Sequence, residues 1–307
     1  MTRVAAVDCG TNSIRLLVAD LHPETGELKE LDRRMEIVRL GQGVDRTGRL
    51  APEALERTFA ACRRYAQAVR EHGAERVRFV ATSASRDAAN RDDFVRGVVD
   101  LLGVEPEVIT GDQEAAFSFT GATRELSPAT HPAPYLVVDI GGGSTEFVVG
   151  EDRVRAACSV DVGCVRLTER HALSDPPAPE QTAAVERDVA AALDRVARDV
   201  PLGEARTLVG LAGTVTTVAG VALGLDSYDP AAIHHSRISR AQVEEVTERL
   251  LASTHAERAA IPVMHPGRVD VILAGALVLR AVMERSGARE VVVSEHDILD
   301  GIAWSLV

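Results

Sequence analysis

Asp8, Gly10 and Ser13 recur at the same spacing as Asp139, Gly141 and Ser144, 131 residues further along the chain. The first copy, Asp8-Cys9-Gly10-Thr11-Asn12-Ser13, leads into the apolar run Ile14 to Ala19; the second, Asp139-Ile140-Gly141-Gly142-Gly143-Ser144, leads into Thr145 to Val149. A glycine-rich turn has no side chains to block approach, so its backbone N–H groups can point at an anion. The hydroxyls of Thr11, Ser13, Ser144 and Thr145 add donors suited to phosphate oxygens. An aspartate at the mouth of each turn, Asp8 or Asp139, can hold a divalent cation or its water. Two such turns facing each other across a cleft would make a phosphate clamp with metal between.

The elements that must position these residues can be read on either side of them. Val4 to Val7 and Leu136 to Val138 precede the two turns, so each copy reads as strand, tight turn, strand, with the turn expected to need glycine's positive φ. In such a hairpin Asp139 and Glu146, seven residues apart, return to the same end and suit Mg²⁺ as oxygen ligands. Arg15 takes in copy one the place that Glu146 takes in copy two, which suggests that one hairpin holds phosphate and the other holds metal and water. Gly213 and Thr214 fall where a strand meets a helix, a ready anion site. Glu114 falls in the first turn of a helix, where an acidic residue ordinarily complements the macrodipole.

Periodicity places a strand at 36–40 and a helix from Pro52 closed by Gly73, with Leu55, Phe59, Cys62, Tyr65 and Val69 on one face. A strand at 77–81, a helix at 94–102, a strand at 104–109 and a helix at 112–126 follow. Ser127 to Pro134 holds three prolines in eight residues and is the clearest linker. It divides the chain into 1–128 and 129–307, with one loop in each half and a closing helix that can pack back on the first domain. The second half reads as a strand at 154–160, a helix at about 179–200, a strand at 207–211, a helix through Leu223, helices at about 239–252 and 267–285, a strand at 291–293 and a helix from Asp297. Alternating strands and helices argue for α/β layers, and a strand-before-strand start argues against a plain βαβ sheet.

The paired loops resemble those of the actin-like, sugar-kinase-like ATPase superfamily, whose two ribonuclease-H-like halves each open with a phosphate loop. The strings Asp8 to Arg15 and Asp139 to Glu146 more narrowly resemble the exopolyphosphatase and guanosine pentaphosphate phosphatase family, Ppx/GppA. The resemblance implies an α/β fold of two actin-like domains with an interdomain cleft, and hydrolysis of a terminal phosphoanhydride. It makes Glu114 the general base that takes a proton from the attacking water. It makes Asp139, Glu146 and Asp8 the ligands of Mg²⁺, or of Mn²⁺. It assigns phosphate binding to Thr11, Asn12, Ser13, Arg15, Arg86, Gly141, Gly142, Gly143, Ser144, Thr145, Gly213 and Thr214. Inorganic polyphosphate is the expected substrate, with guanosine pentaphosphate as the alternative, and a homodimer the expected assembly. A kinase or ATPase of the superfamily and a non-catalytic alarmone binder are the rival readings. Long family members carry a further helical region after these two domains; its absence from a chain ending at Val307 argues against long-chain processivity and permits a preference for short polyphosphates.

The remaining composition narrows the chemistry. A formal charge of −12 over 307 residues disfavours nucleic acid and anionic membrane as partners. Lys29 is the only lysine and follows Leu28, which excludes a Walker A loop and makes a Schiff base improbable. Cys9, Cys62, Cys158 and Cys164 form no CxxC pair, so they argue for neither a zinc site nor a disulfide framework. No signal segment and no apolar stretch of ~18 residues occurs, and the cytoplasm is the expected compartment. His234-His235 looks like a metal pair but is read as structural or as loop polars, because adjacent side chains diverge in a strand and no third ligand is placed nearby.

Overall fold

The computed structural model describes residues 1–307, which form two compact units, Met1–Gly121 with Ile298–Val307, and Ala122–Asp297. The sequence places the division at 128/129; here it falls inside a helix, and the closing segment belongs with the first unit.

The first unit contains β1 (Thr2–Cys9), β2 (Ser13–His22), β3 (Glu27–Ile37), α1 (Val44–Thr47), α2 (Pro52–His72), β4 (Arg76–Ala81), α3 (Ser83–Arg86), α4 (Arg91–Leu102), β5 (Glu107–Val108) and α5 (Gly111–Thr123). Its sheet runs β3-β2-β1-β4-β5, antiparallel through the first three strands and parallel thereafter. Alternation along β1 divides the burial: Ala5, Val7 and Cys9 join Tyr65 and Phe94 on one face, while Val4 and Ala6 meet Ile298 and Ile302 on the other. Each valine or isoleucine among them contributes roughly 1.5–3 kcal/mol by leaving water. Helix α2 starts on Pro52 and stops at Gly73, whose φ of 65° closes the last turn. A β-carbon on Gly97 would collide with the Phe59 ring, so glycine there lets α4 close on α2.

The second unit contains β6 (Tyr135–Ile140), β7 (Thr145–Gly150), β8 (Val154–Val160), α6 (Cys164–His171), α7 (Pro179–Asp199), β9 (Thr207–Leu211), α8 (Ala212–Ala222), α9 (Pro230–Ile233), β10 (Arg237–Ser239), α10 (Arg240–Ala252), α11 (His255–Ala259), α12 (Ile272–Ser286) and β11 (Glu290–Val293). Its sheet runs β10-β11-β9-β6-β7-β8. Leaving out the short edge strand β10, the order and directions match those of the first sheet, so the duplication in the loops extends to the topology. Leu136, Val138 and Ile140 enter a core with residues of α7, α8, α10 and α12, and Val137 and Asp139 alternate to the other face. The last helix, α13 (Ile298–Trp304), completes the first unit.

Some expected elements differ. Strand β3 covers 27–37 rather than 36–40. Its charged sequence, with Lys29, Arg33 and Arg34 beside four acidic residues, hides an edge strand whose pairing is set by β2. The strand expected at 104–109 shrinks to Glu107–Val108, and helix α6 at 164–171 was not anticipated.

Candidate active site

In the first unit Asp8 lies opposite Arg15 across the β1–β2 ladder. Arg15 donates from Nε and NH2 to Asp8 Oδ2, at 3.1 and 2.7 Å. The guanidinium expected on phosphate and the carboxylate expected on metal are therefore partners of one another. The loop between them is closed by the Gly10 N–H donating to Ser13 O at 2.9 Å. Its outward carbonyls are occupied: Thr11 O accepts the Gly41 N–H, and Asn12 O accepts those of Val38 and Arg39. The Thr11 and Ser83 hydroxyls are 2.9 Å apart, which ties the loop to the start of α3.

Arg86, the last residue of α3, donates to Ile109 O at 3.1 Å and stands 3.4 Å from Glu114 Oε2. Thr110 and Gln113 cap α5 reciprocally, Thr110 N–H to Gln113 Oε1 and Gln113 N–H to Thr110 Oγ1. That cap fixes the first turn, so Glu114 enters the structure at a defined angle with only 8 % of its surface exposed. The proposed base and one of the expected phosphate arginines thus form one assembly within the first unit.

In the second unit the same rung pairs Asp139 with Glu146, 7 % and 1 % exposed. Gly141 N–H donates to Ser144 O at 3.0 Å, repeating the first loop. The start of α6 buttresses this one. The Cys164 N–H donates to Gly141 O, those of Val165 and Arg166 donate to Gly142 O, and Arg166 Nε donates to Gly143 O at 2.7 Å. These N–H groups are the orphans of a helix start. With three of its carbonyls and the Gly141 N–H engaged, the loop backbone is held in one conformation. Thr145 Oγ1 donates to Val162 O at 2.5 Å and is fully buried, so this hydroxyl anchors the loop to the β8–α6 turn.

The loop glycines act differently from expectation. None of Gly10, Gly141, Gly142 and Gly143 has a positive φ. The demand is for close approach: a β-carbon on Gly163 would collide with the Gly142 and Gly143 backbone.

Gly213 and Thr214 occupy the first turn of α8 as expected. The Arg268 guanidinium lies against Gly213 and donates to Thr217 Oγ1 at 3.1 Å. Burial pushes the Cys164 thiol up to about 11, which removes it as a nucleophile. Sequence reasoning gave Arg268 no role. It also missed Ser159, the β8 residue opposite Glu146, whose hydroxyl donates to Glu146 Oε1 at 2.7 Å. Only the β7–β8 register reveals that contact.

Two buried carboxylates on one rung repel each other, and a cation between them relieves the repulsion. Asp139, Glu146 and the Ser159 hydroxyl form an oxygen-only donor set of the kind hard divalent cations take. The residues present fit such an ion. Asp8, neutralised by Arg15, fits less directly.

The family model for the Ppx/GppA phosphatase family matches residues 18–307. The chain is 54 % identical to exopolyphosphatase 2 of Mycobacterium tuberculosis, over 100 % of this chain and 99 % of that one. A crystal structure of an exopolyphosphatase-like protein superposes with a TM-score of 0.94 at 44 % identity, covering 99 % of this chain and 98 % of the other. The Ppx/GppA family member of Aquifex aeolicus superposes with a TM-score of 0.83 at 31 % identity, covering 99 % and 97 %.

Proposed function

Since the chain belongs to the Ppx/GppA phosphatase family, we propose that it is an exopolyphosphatase, which removes orthophosphate from the end of inorganic polyphosphate. The observation that carries this reading is Glu114, held by Arg86 on a capped first turn, in a chain with two phosphate loops of matching register.

Glu114 takes a proton from water as the water oxygen attacks the terminal phosphorus. The bond from that phosphorus to its bridging oxygen breaks, and the shortened chain leaves with the bridging oxygen. Loop N–H groups and the Ser13 and Ser144 hydroxyls hold phosphate oxygens, and Arg268 adds a cation beside Gly213. A divalent cation held by Asp139 and Glu146 would offset charge on the transferring group. Positioning and electrostatics supply most of the acceleration in phosphoryl transfer. The same reading takes Mg²⁺ as the cation, with Mn²⁺ as its substitute, a homodimer as the assembly and the cytoplasm as the compartment. No helix is long and apolar enough to cross a membrane.

The test is orthophosphate release from polyphosphate, without nucleotide, in the presence and absence of Mg²⁺. Guanosine pentaphosphate and ATP are run in parallel. Glu114→Gln should lower turnover by roughly 10²–10⁴ while polyphosphate binding persists. Turnover equal to wild type in that variant would remove Glu114 as the base. Release that requires a nucleotide would favour the kinase reading.

A further inference from the structure

Four of the chain's nine histidines gather in the second unit. The rings of His131, His235, His234 and His296 form a row with centroid separations of 5.5, 3.7 and 4.6 Å. Glu125 joins the row at His234 and His296. None of these residues belongs to the phosphate loops, and the reaction above uses none of them.

We propose that Glu125, His234 and His296 form a binding site for a Zn²⁺ ion. Glu125 Oε2 lies 3.1 Å from His296 Nδ1 and 3.7 Å from His234 Nε2. All three ligand atoms lie within 4.8 Å of one another. Tetrahedral zinc with bonds of about 2.0–2.1 Å separates its ligand atoms by about 3.3–3.4 Å, between the two observed distances. Two imidazoles and a carboxylate suit zinc and disfavour magnesium, so this chemistry differs from that of the Asp139–Glu146 pair.

The backbone prearranges the two histidines. The Ser294 hydroxyl donates to His296 O at 2.7 Å and accepts the His296 N–H at 3.1 Å, which fixes the turn after β11. His235 N–H donates to Val293 O at 2.7 Å, which draws the His234-His235 segment alongside the same turn. His235 holds φ at 60°, a conformation that costs a β-substituted residue about 1 kcal/mol or more, and its ring stacks on His234. Glu125 stands four residues past the end of the first unit at Gly121, and His296 stands two residues before the chain returns to it at Ile298. An ion here would tie the outgoing and returning segments together.

One contact gives the proposal a distinctive signature. The Glu295 N–H donates to His234 Nδ1 at 3.1 Å, so without metal the ring proton sits on Nε2, facing Glu125. When zinc bonds to Nε2, that proton leaves to solvent. Nδ1 takes one up, and the Glu295 N–H must release it.

The experiment uses full-length, tag-free, EDTA-treated protein titrated with zinc chloride by calorimetry, without substrate, so that its outcome is independent of the phosphatase reading. Wild type should bind one equivalent. Affinity should fall by more than about a hundredfold in His296→Ala and in Glu125→Gln. It should be unchanged in His255→Ala, which removes the imidazole beside Asp270. Nitrogen-detected NMR should show the His234 ring proton moving from Nε2 to Nδ1 on zinc addition. Glu125 is half exposed, so Glu125→Gln should fold and keeps the test decisive if His296→Ala does not. Failure of wild type to take up zinc, uptake undiminished in Glu125→Gln, or an unmoved His234 proton would each overturn the proposal.

Discussion

Arg15 sits directly opposite Asp8 on the β1–β2 ladder and grips one oxygen of its carboxylate through two nitrogens. The equivalent rung of the second sheet places Glu146 opposite Asp139. One backbone arrangement thus carries opposite electrostatics: the first hairpin neutralises its aspartate internally, and the second concentrates negative charge. That difference rests on one position, Arg15 in the first unit and Glu146 in the second.

Arg15→Ala should therefore act on stability before it acts on binding. It leaves the buried Asp8 carboxylate without the guanidinium that holds its Oδ2, at a cost on the order of 1–3 kcal/mol. Urea denaturation would measure this, and Asp8→Asn in the same chain should recover part of the loss. A large rise in KM with stability unchanged would instead make Arg15 chiefly a phosphate ligand.

Removing Ser159 tests the donor set around Glu146. Ser159→Ala deletes the hydroxyl on Glu146 Oε1 and leaves both carboxylates. The Mg²⁺ concentration for half-maximal activity should rise by roughly 10-fold, the scale for losing a partner that orients a metal ligand. Activity at saturating Mg²⁺ should stay near wild type. Glu146→Gln should raise the requirement further, and an unchanged Mg²⁺ titration in both variants would contradict the assignment.

Two glycine substitutions should differ in severity. In Gly163→Ala the new methyl meets the Gly142 and Gly143 backbone, which can move only by displacing the loop from Gly141 to Ser144. A shift of that kind can cost about 10²-fold in turnover. In Gly213→Ala the methyl meets the end of the flexible Arg268 side chain, which can swing aside. Steady-state kinetics should show the first variant losing far more kcat than the second.

Acid should weaken the first sheet through Asp20. Hydrogen bonds from Arg3, at 2.7 and 2.9 Å, hold the Asp20 carboxyl below the usual carboxylate range. Its folded pKa lies below the unfolded value of about 3.9, so its contribution is complete above that value and is lost as pH falls through the folded one. Asp20→Asn should be less stable than wild type at pH 7, with the gap narrowing below about pH 4. Denaturation at pH 7, 5 and 3 measures this; a gap that widens on acidification would contradict it.

Local signals in the chain were strong wherever one element carried its own start and stop. Pro52 and Gly73 bound α2, and the 154–160 strand matches its expected limits. They were weak at edges and contacts. The charged β3 is a strand because β2 offers it a ladder, and α6 forms where its first N–H groups find the carbonyls of Gly141 and Gly142. The histidine pair looked isolated because Glu125 and His296 lie more than 60 residues away along the chain, one on either side.

The duplicated loops, the Asp–Arg and Asp–Glu positions and the Glu114 helix start were fixed by residue type and spacing, since strand alternation and turn length act over a few neighbours. Which groups meet beyond one hairpin was decided only on folding: Ser159 with Glu146, Arg86 with Glu114, and Glu125 with two histidines. Those pairings depend on sheet register and on packing between segments distant along the chain, and no local pattern encodes either.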